Sequence, residues 1–333
     1  MKRIAEQVKQ FFVAAEQIGL KDTAHSRLAV ILIDNVLELK IHKICEYIFA
    51  EDGMWGASSR KYSENERKKV LGQHFDEKVN FLRRINYLNS DEADFILICH
   101  KYRNELYHRG ILKEEIISHI ANAYYFFACV FYKRNRPRSY CSGGGGSASA
   151  EKMLLVLIKK KEHLNLLNGD WDSIWNVVET RVVSLEPELG QVLSAHLIAR
   201  LQAVDELIDY VRAGGYQSFD TPEDYVKHTQ AWRFLWEDEG KKYIKENMPA
   251  GEYSVQNYID FLQQNWRPKY KYKDIARWEK RAKELNNEKS KFILLKKFDN
   301  ILMEFESFEE MIMNDVEVFD NWVNEQVDIM RGK

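Results

Sequence analysis

Apolar residues return every three or four positions through nearly the whole chain, and the residues that stop helices are scarce, with five prolines and sixteen glycines in 333 residues. That spacing is the period of a helix with one buried face, and no stretch alternates as a half-buried strand does. An all-α fold follows, with helices predicted at about 2–18, 23–51, 63–88, 91–109 and 113–134. Further ones fall at 151–167, 188–213, 222–247, 254–266 and 273–330, the last broken near Asn286 and Ser307. Between these two sets stands CSGGGGSASA, residues 141–150. Four consecutive glycines read as a flexible linker. The run has no preceding strand and no GxxxxGK[ST] or GxGxxG pattern, so it does not read as a phosphate-cradling loop. The expected organisation is an N-terminal helical bundle over 1–140, a Gly/Ser linker over 141–150 and a second all-helical domain over 151–333. Tryptophans at 171, 175, 232, 236, 266, 278 and 322 are expected to pack cores.

Cys45, Cys99, Cys129 and Cys141 are far apart and form no CxxC pair, which argues against a structural zinc site or a disulfide framework. The longest apolar runs, Leu28 to Ile33 and Ala123 to Tyr132, fall short of the roughly 18 residues a membrane span needs. The first helix, MKRIAEQVKQFFVAAEQ, carries charges among its apolar positions, unlike a signal peptide. A cytoplasmic location and no membrane partner are expected. Residues 1–140 hold 23 Lys+Arg against 18 Asp+Glu, while the remainder holds 26 against 33. The asymmetry suits a first part that meets a polyanion and an acidic second part that is either a solubilising body or one that docks a regulatory protein.

The most informative stretch is NSDEADFILICHKYRNELYHRG, residues 89–110. It opens on cap-forming Asn89, Ser90 and Asp91 and ends on a glycine. Phe95, Ile98, Cys99, Tyr102 and Leu106 form one apolar stripe, and His100, Asn104 and His108 fall at four-residue steps on another. An imidazole can take or give a proton near neutral pH, and an asparagine one turn away can orient it or hold a phosphate oxygen. A solvated polar face is the plainer reading of the same stripe.

Arg103-Asn104-Glu105-Leu106-Tyr107-His108 matches R-x4-6-H with a polar residue after the arginine, and over residues 1–140 the chain resembles the HEPN superfamily of ribonucleases. Arg67 and His74 also satisfy the spacing, but a lysine follows that arginine and the hit lies early, so it reads as a solvated helix face. Residues five apart on a helix are about 140° apart around its axis, so Arg103 and His108 do not share a face. The resemblance implies that two protomers bring their motif helices together in a homodimer with a composite site.

It also implies metal-independent cleavage without a cofactor. His108 of one chain would take the 2′-hydroxyl proton of RNA and His108 of the other would protonate the leaving 5′-oxygen. Arg103 would hold the phosphate, leaving 2′,3′-cyclic phosphate and 5′-hydroxyl ends. A role as a toxin or antiviral effector follows by the same analogy. Tyr107 is a candidate to stack on a base. Lys133, Arg134, Arg136 and Arg138, beside Tyr132 and Tyr140, form the strongest basic cluster and suit single-stranded RNA, or else a solvated helix end. No HExxH, GxSxG or Cys/His cluster supports a metal or covalent alternative. Two other functions fit the same sequence: a HEPN-like module that dimerises and binds RNA or a nucleotide without cutting, and a helical adaptor.

Overall fold

The computed structural model describes residues 1–54, 56, 60–109, 114–137, 145–161, 163–167, 169–185, 187–214 and 219–331, with the side chains of 107–109, 114 and 145–147 left out. The described chain is all-α, with no strand. It divides into two compact units, residues 1–192 with 288–296, and residues 193–287 with 297–333. No described helix is long and apolar enough to cross a membrane.

The first unit is built around one long helix. α1 (Lys2–Gly19) leads to α2 (Thr23–Asp52), which begins where the Asp22 carboxylate accepts from the Ala24 and His25 amides at 2.8 and 3.2 Å. α3 (Glu64–Leu71), α4 (Phe75–Arg84), α5 (Ser90–Arg109) and α6 (Glu114–Arg134) follow, and α2 packs against each of α1, α3, α4, α5 and α6. α2 has buried residues along its whole length, among them Ala29, Ile33, Val36, Leu37, Ile41, Ile44 and Phe49. The stretch read as one helix over 63–88 is two, because Gly72 leaves the helix in extended conformation. The buried Lys78 ammonium then bonds the Gly72 and His74 carbonyls and holds the turn.

The division between the units differs from the boundary expected at residues 140–150. α7 (Gly145–Leu157) starts inside the stretch read as linker, of which 141–144 lie outside the described residues. Burial of Ala150 and Leu154, with α7 packed on α1, offsets a helical glycine's cost of about 1 kcal/mol. α8 (Gly169–Glu179), absent from the sequence reading, is held in the same unit by aromatic packing. Phe11 meets Tyr125, Tyr132 and Trp175 edge to face at centroid separations of 5.5, 5.4 and 4.9 Å. The Trp171 indole donates to the Tyr132 carbonyl at 2.9 Å, and the Tyr125 hydroxyl donates to the Val178 carbonyl at 2.7 Å.

The second unit comprises α9 (Leu189–Ala213) from Leu193 onward, α10 (Pro222–Trp236), α11 (Asp238–Asn247), α12 (Val255–Asn265), α13 (Asp274–Glu284), a 3₁₀ turn at Leu285–Asn287, and α14 (Lys291–Met330) from Lys297 onward. α10 and α11 are separated at Glu237, which is extended, and the tight junction requires glycine at 240, where an added Cβ would stand 1.6 Å from the Phe234 carbonyl oxygen. The break near Asn286 is present, whereas α14 runs through Ser307 with Phe305, Phe308 and Ile312 buried around it. Trp171, Trp175 and Trp278 are core residues as expected, but Trp232 and Trp236 are 41% and 56% exposed.

Truncating Trp175 to alanine should destabilise the chain by about 3–5 kcal/mol, read as a fall in the urea midpoint, because the packing of α8 depends on it. A loss below about 1 kcal/mol would show that α8 contributes little to this core.

Candidate functional site

The motif helix α5 starts where the sequence places it. Asn89 accepts from the Glu92 amide at 2.8 Å, and the Glu92 carboxylate accepts from the Asn89 amide at 3.2 Å, a reciprocal cap. Phe95, Ile98, Cys99 and Tyr102 are buried against the bundle and Leu106 is half-buried. This rotation turns His100, Arg103 and Asn104 toward a cleft of about 880 Å³, whose other wall comes from Glu38 of α2 and from Gln73 to Asp76 at the α3–α4 break.

Beneath the cleft lies Asp34 of α2, with no exposure to solvent. Its Oδ1 accepts from the buried Tyr124 hydroxyl at 2.8 Å. Its Oδ2 accepts from His100 Nδ1 at 2.9 Å and lies 3.6 Å from Arg103 Nε. Burial first, and Asp34 second, hold the Tyr124 phenol well above its ordinary pKa, so it stays a donor. With a carboxylate as its acceptor, His100 Nδ1 is the donor, which fixes the orientation of the ring. Phe75 fixes the ring from the side, with centroids 4.6 Å apart. Arg103 is 30% exposed, and its Nη1 donates to Asn104 Oδ1 at 2.9 Å.

Arg103 and Asn104 are therefore brought together, and His100 joins them. The backbone of Tyr107 and His108 continues α5, but both side chains lie outside the described residues, as does Arg138 entirely. The rest of the basic cluster is spread over internal ion pairs. Lys133 bonds Glu179, Arg136 bonds Asp172, and Arg134 grips Glu92 through two hydrogen bonds of 2.6 and 3.3 Å. Their charges tie α6 and the segment after it to α8 and to the α5 cap. The second motif hit has a structural role rather than a solvated one. Arg67 bonds the Phe49 carbonyl at 2.7 Å, the Tyr62 carbonyl at 3.2 Å and the Asp52 carboxylate. His74, its spacing partner, lines the cleft beside His100.

Asp34 and Tyr124 escaped the sequence reading. The signal for Asp34 was present: a lone acid inside LAVILIDNVL, on a helix whose neighbouring positions must face a core. Among the described cysteines, Cys45, Cys99 and Cys129 are buried free thiols, and burial pushes Cys45 up to about 12. They are poor nucleophiles.

Replacing Tyr124 with phenylalanine should cost about 1.5–3 kcal/mol, the range for a hydrogen bond to a charged group. Asp34→Ala should cost more, about 3–5 kcal/mol, because it strips the acceptor from Tyr124 and His100 and the counter-charge from Arg103 together. Urea unfolding gives both values, and an equal or reversed order would show that the carboxylate is not the shared anchor. No model of a known protein family, no curated protein and no solved structure matches this chain.

Proposed function

We propose that the chain is a metal-independent endoribonuclease of the HEPN type that cuts RNA through its 2′-hydroxyl. The supporting observation is a guanidinium, Arg103, held at the mouth of an open cleft by a buried carboxylate, with an amide and an oriented imidazole beside it. RNA carries its own nucleophile, so the protein need supply only a base, an acid and donors for the charge that grows on phosphorus. Arg103, with its fork of donors, holds the nonbridging oxygens, and Asn104 adds an amide donor.

An imidazole accepts the 2′-hydroxyl proton as the oxygen attacks phosphorus. A second gives a proton to the departing 5′-oxygen, leaving a 2′,3′-cyclic phosphate and a 5′-hydroxyl. His108 fills these roles in a homodimer whose α5 helices meet. His100 sets Arg103 by sharing the Asp34 oxygen and is a positioning residue in that scheme. A growth-arrest or antiviral role and a cytoplasmic site of action belong to the same reading. A helical adaptor is the second reading, supported by the exposed Trp232 and Trp236, which stand 6.0 Å apart on α10 and suit a docked protein.

Labelled RNA incubated with the purified chain in EDTA should be cut to cyclic-phosphate ends. A 2′-deoxy substitution at the cleaved position should block the cut. Arg103→Ala and His108→Ala should each lower the rate by at least 100-fold, and activity per chain should rise with protein concentration as dimers form. Cleavage that requires magnesium, or that survives both substitutions, would exclude this mechanism. No cleavage of any RNA, with binding retained, would favour the non-catalytic module.

A further inference from the structure

A second cavity in the first unit, of about 320 Å³, opens between α1, α2 and the segment that follows α6. Its wall is chiefly apolar, with Ile4, Ile44, Ile48 and Trp171 among its residues. One cation there is distinct from the others. Lys40 projects from α2 and donates to the Asn135 carbonyl at 2.5 Å, with its ammonium 5.2 Å from the ring centroids of both Tyr132 and Trp171. That single bond leaves two N–H donors. Lys43 and Arg136, also on the wall, have their own carboxylates in Glu46, at 2.8 Å, and Asp172, while Arg3 and the Met1 ammonium line the cavity from the start of the chain without, among the described residues, the aromatic cover that Lys40 has. Lys40 has no carboxylate partner among the described residues, and burial alone pulls its pKa down to about 8. The neighbouring polar groups satisfy one another: the Tyr87 hydroxyl donates to Asn135 Oδ1, and Asn135 Nδ2 donates to the Phe131 carbonyl at 2.7 Å.

An ammonium partly withdrawn from water without a counter-ion is costly, and an anion that enters the cavity reduces the imbalance. The chemistry selects the anion. The two spare donors of Lys40 match the oxygens of a carboxylate, and the chiefly apolar wall takes an organic body that inorganic phosphate lacks. A cavity that holds benzene is about 150 Å³, so 320 Å³ admits roughly a dozen non-hydrogen atoms. We infer that this cavity is a binding site for a small amphipathic carboxylate, whose apolar body lies against the isoleucines and whose anionic end pairs with Lys40. The site is separate from the Arg103 cleft and stands whether or not the chain cuts RNA.

Calorimetric titration of the full chain at pH 7 tests this with 4-phenylbutyrate and octanoate, their neutral amides, and inorganic phosphate. The acids should bind with sub-millimolar Kd and raise the melting temperature. The amides should bind at least tenfold more weakly, and phosphate not at all. Lys40→Met should abolish acid binding, and Lys40→Arg should keep part of it. Failure of both acids to bind at millimolar concentration, equal binding of acid and amide, or unchanged binding by a folded Lys40→Met variant would each overturn the assignment. Should Lys40→Met fail to fold, the comparison of acid with amide on the unaltered chain decides alone.

Discussion

A carboxylate with no access to water, in the middle of a thirty-residue helix, requires the rest of the bundle to come to it. Asp34 loses several kcal/mol of hydration on burial, which only converging donors can offset. Tyr124 of α6, His100 of α5 and the Arg103 guanidinium are those donors and counter-charges. The contact that makes the burial tolerable thus also sets the rotation of α5 about its axis and of α6 against α2. The candidate site is a consequence of this arrangement, since the groups that satisfy Asp34 from the solvent side are the ones that line the cleft.

The same helix carries a short series of polar bonds to α6 and its C-terminal end. Asp34 accepts from Tyr124, the Val36 carbonyl accepts from Tyr132 at 2.8 Å, and Lys40 donates to the Asn135 carbonyl. Hydrophobic packing alone tolerates sliding between two apolar helices, because one leucine-sized contact resembles the next. Directional bonds at three levels do not. They set the register in which Tyr132 and Trp171 close over Lys40, which ties the geometry of the second cavity to that of the Arg103 cleft.

Most helices were legible because their signals are local. The Asn89 cap, the apolar stripe through Phe95, Cys99 and Tyr102, and the break near Asn286 all lie within a few residues of the feature they determine. What was missed depends on contacts distant in sequence. The helix at Gly169–Glu179 is short, and Phe11 and Tyr132, more than 40 residues before Trp175, pack against that tryptophan. Arg67 looks like a solvated charge until the Phe49 and Tyr62 carbonyls and Asp52 are seen around it. The basic cluster is conspicuous as sequence because its acidic partners, Glu92, Asp172 and Glu179, come from elsewhere in the chain. Asp34 differs from these, since an acid in so apolar a run is a local anomaly that only a buried network accounts for.

The spacing along α5 separates two kinds of cooperation between an arginine and a histidine. Arg103 and His108 are five positions apart, about 140° around an ideal helix, so the proposed site that uses both at one phosphate calls for a second copy of the helix. Arg103 and His100 are three apart, neighbours on one surface, and both reach the same oxygen of Asp34. The arginine is therefore set by contacts within its own chain. In the proposed cleavage, preorganisation of that kind would lower the reorganisation needed as charge develops on phosphorus, and it requires only that Asp34 stay buried.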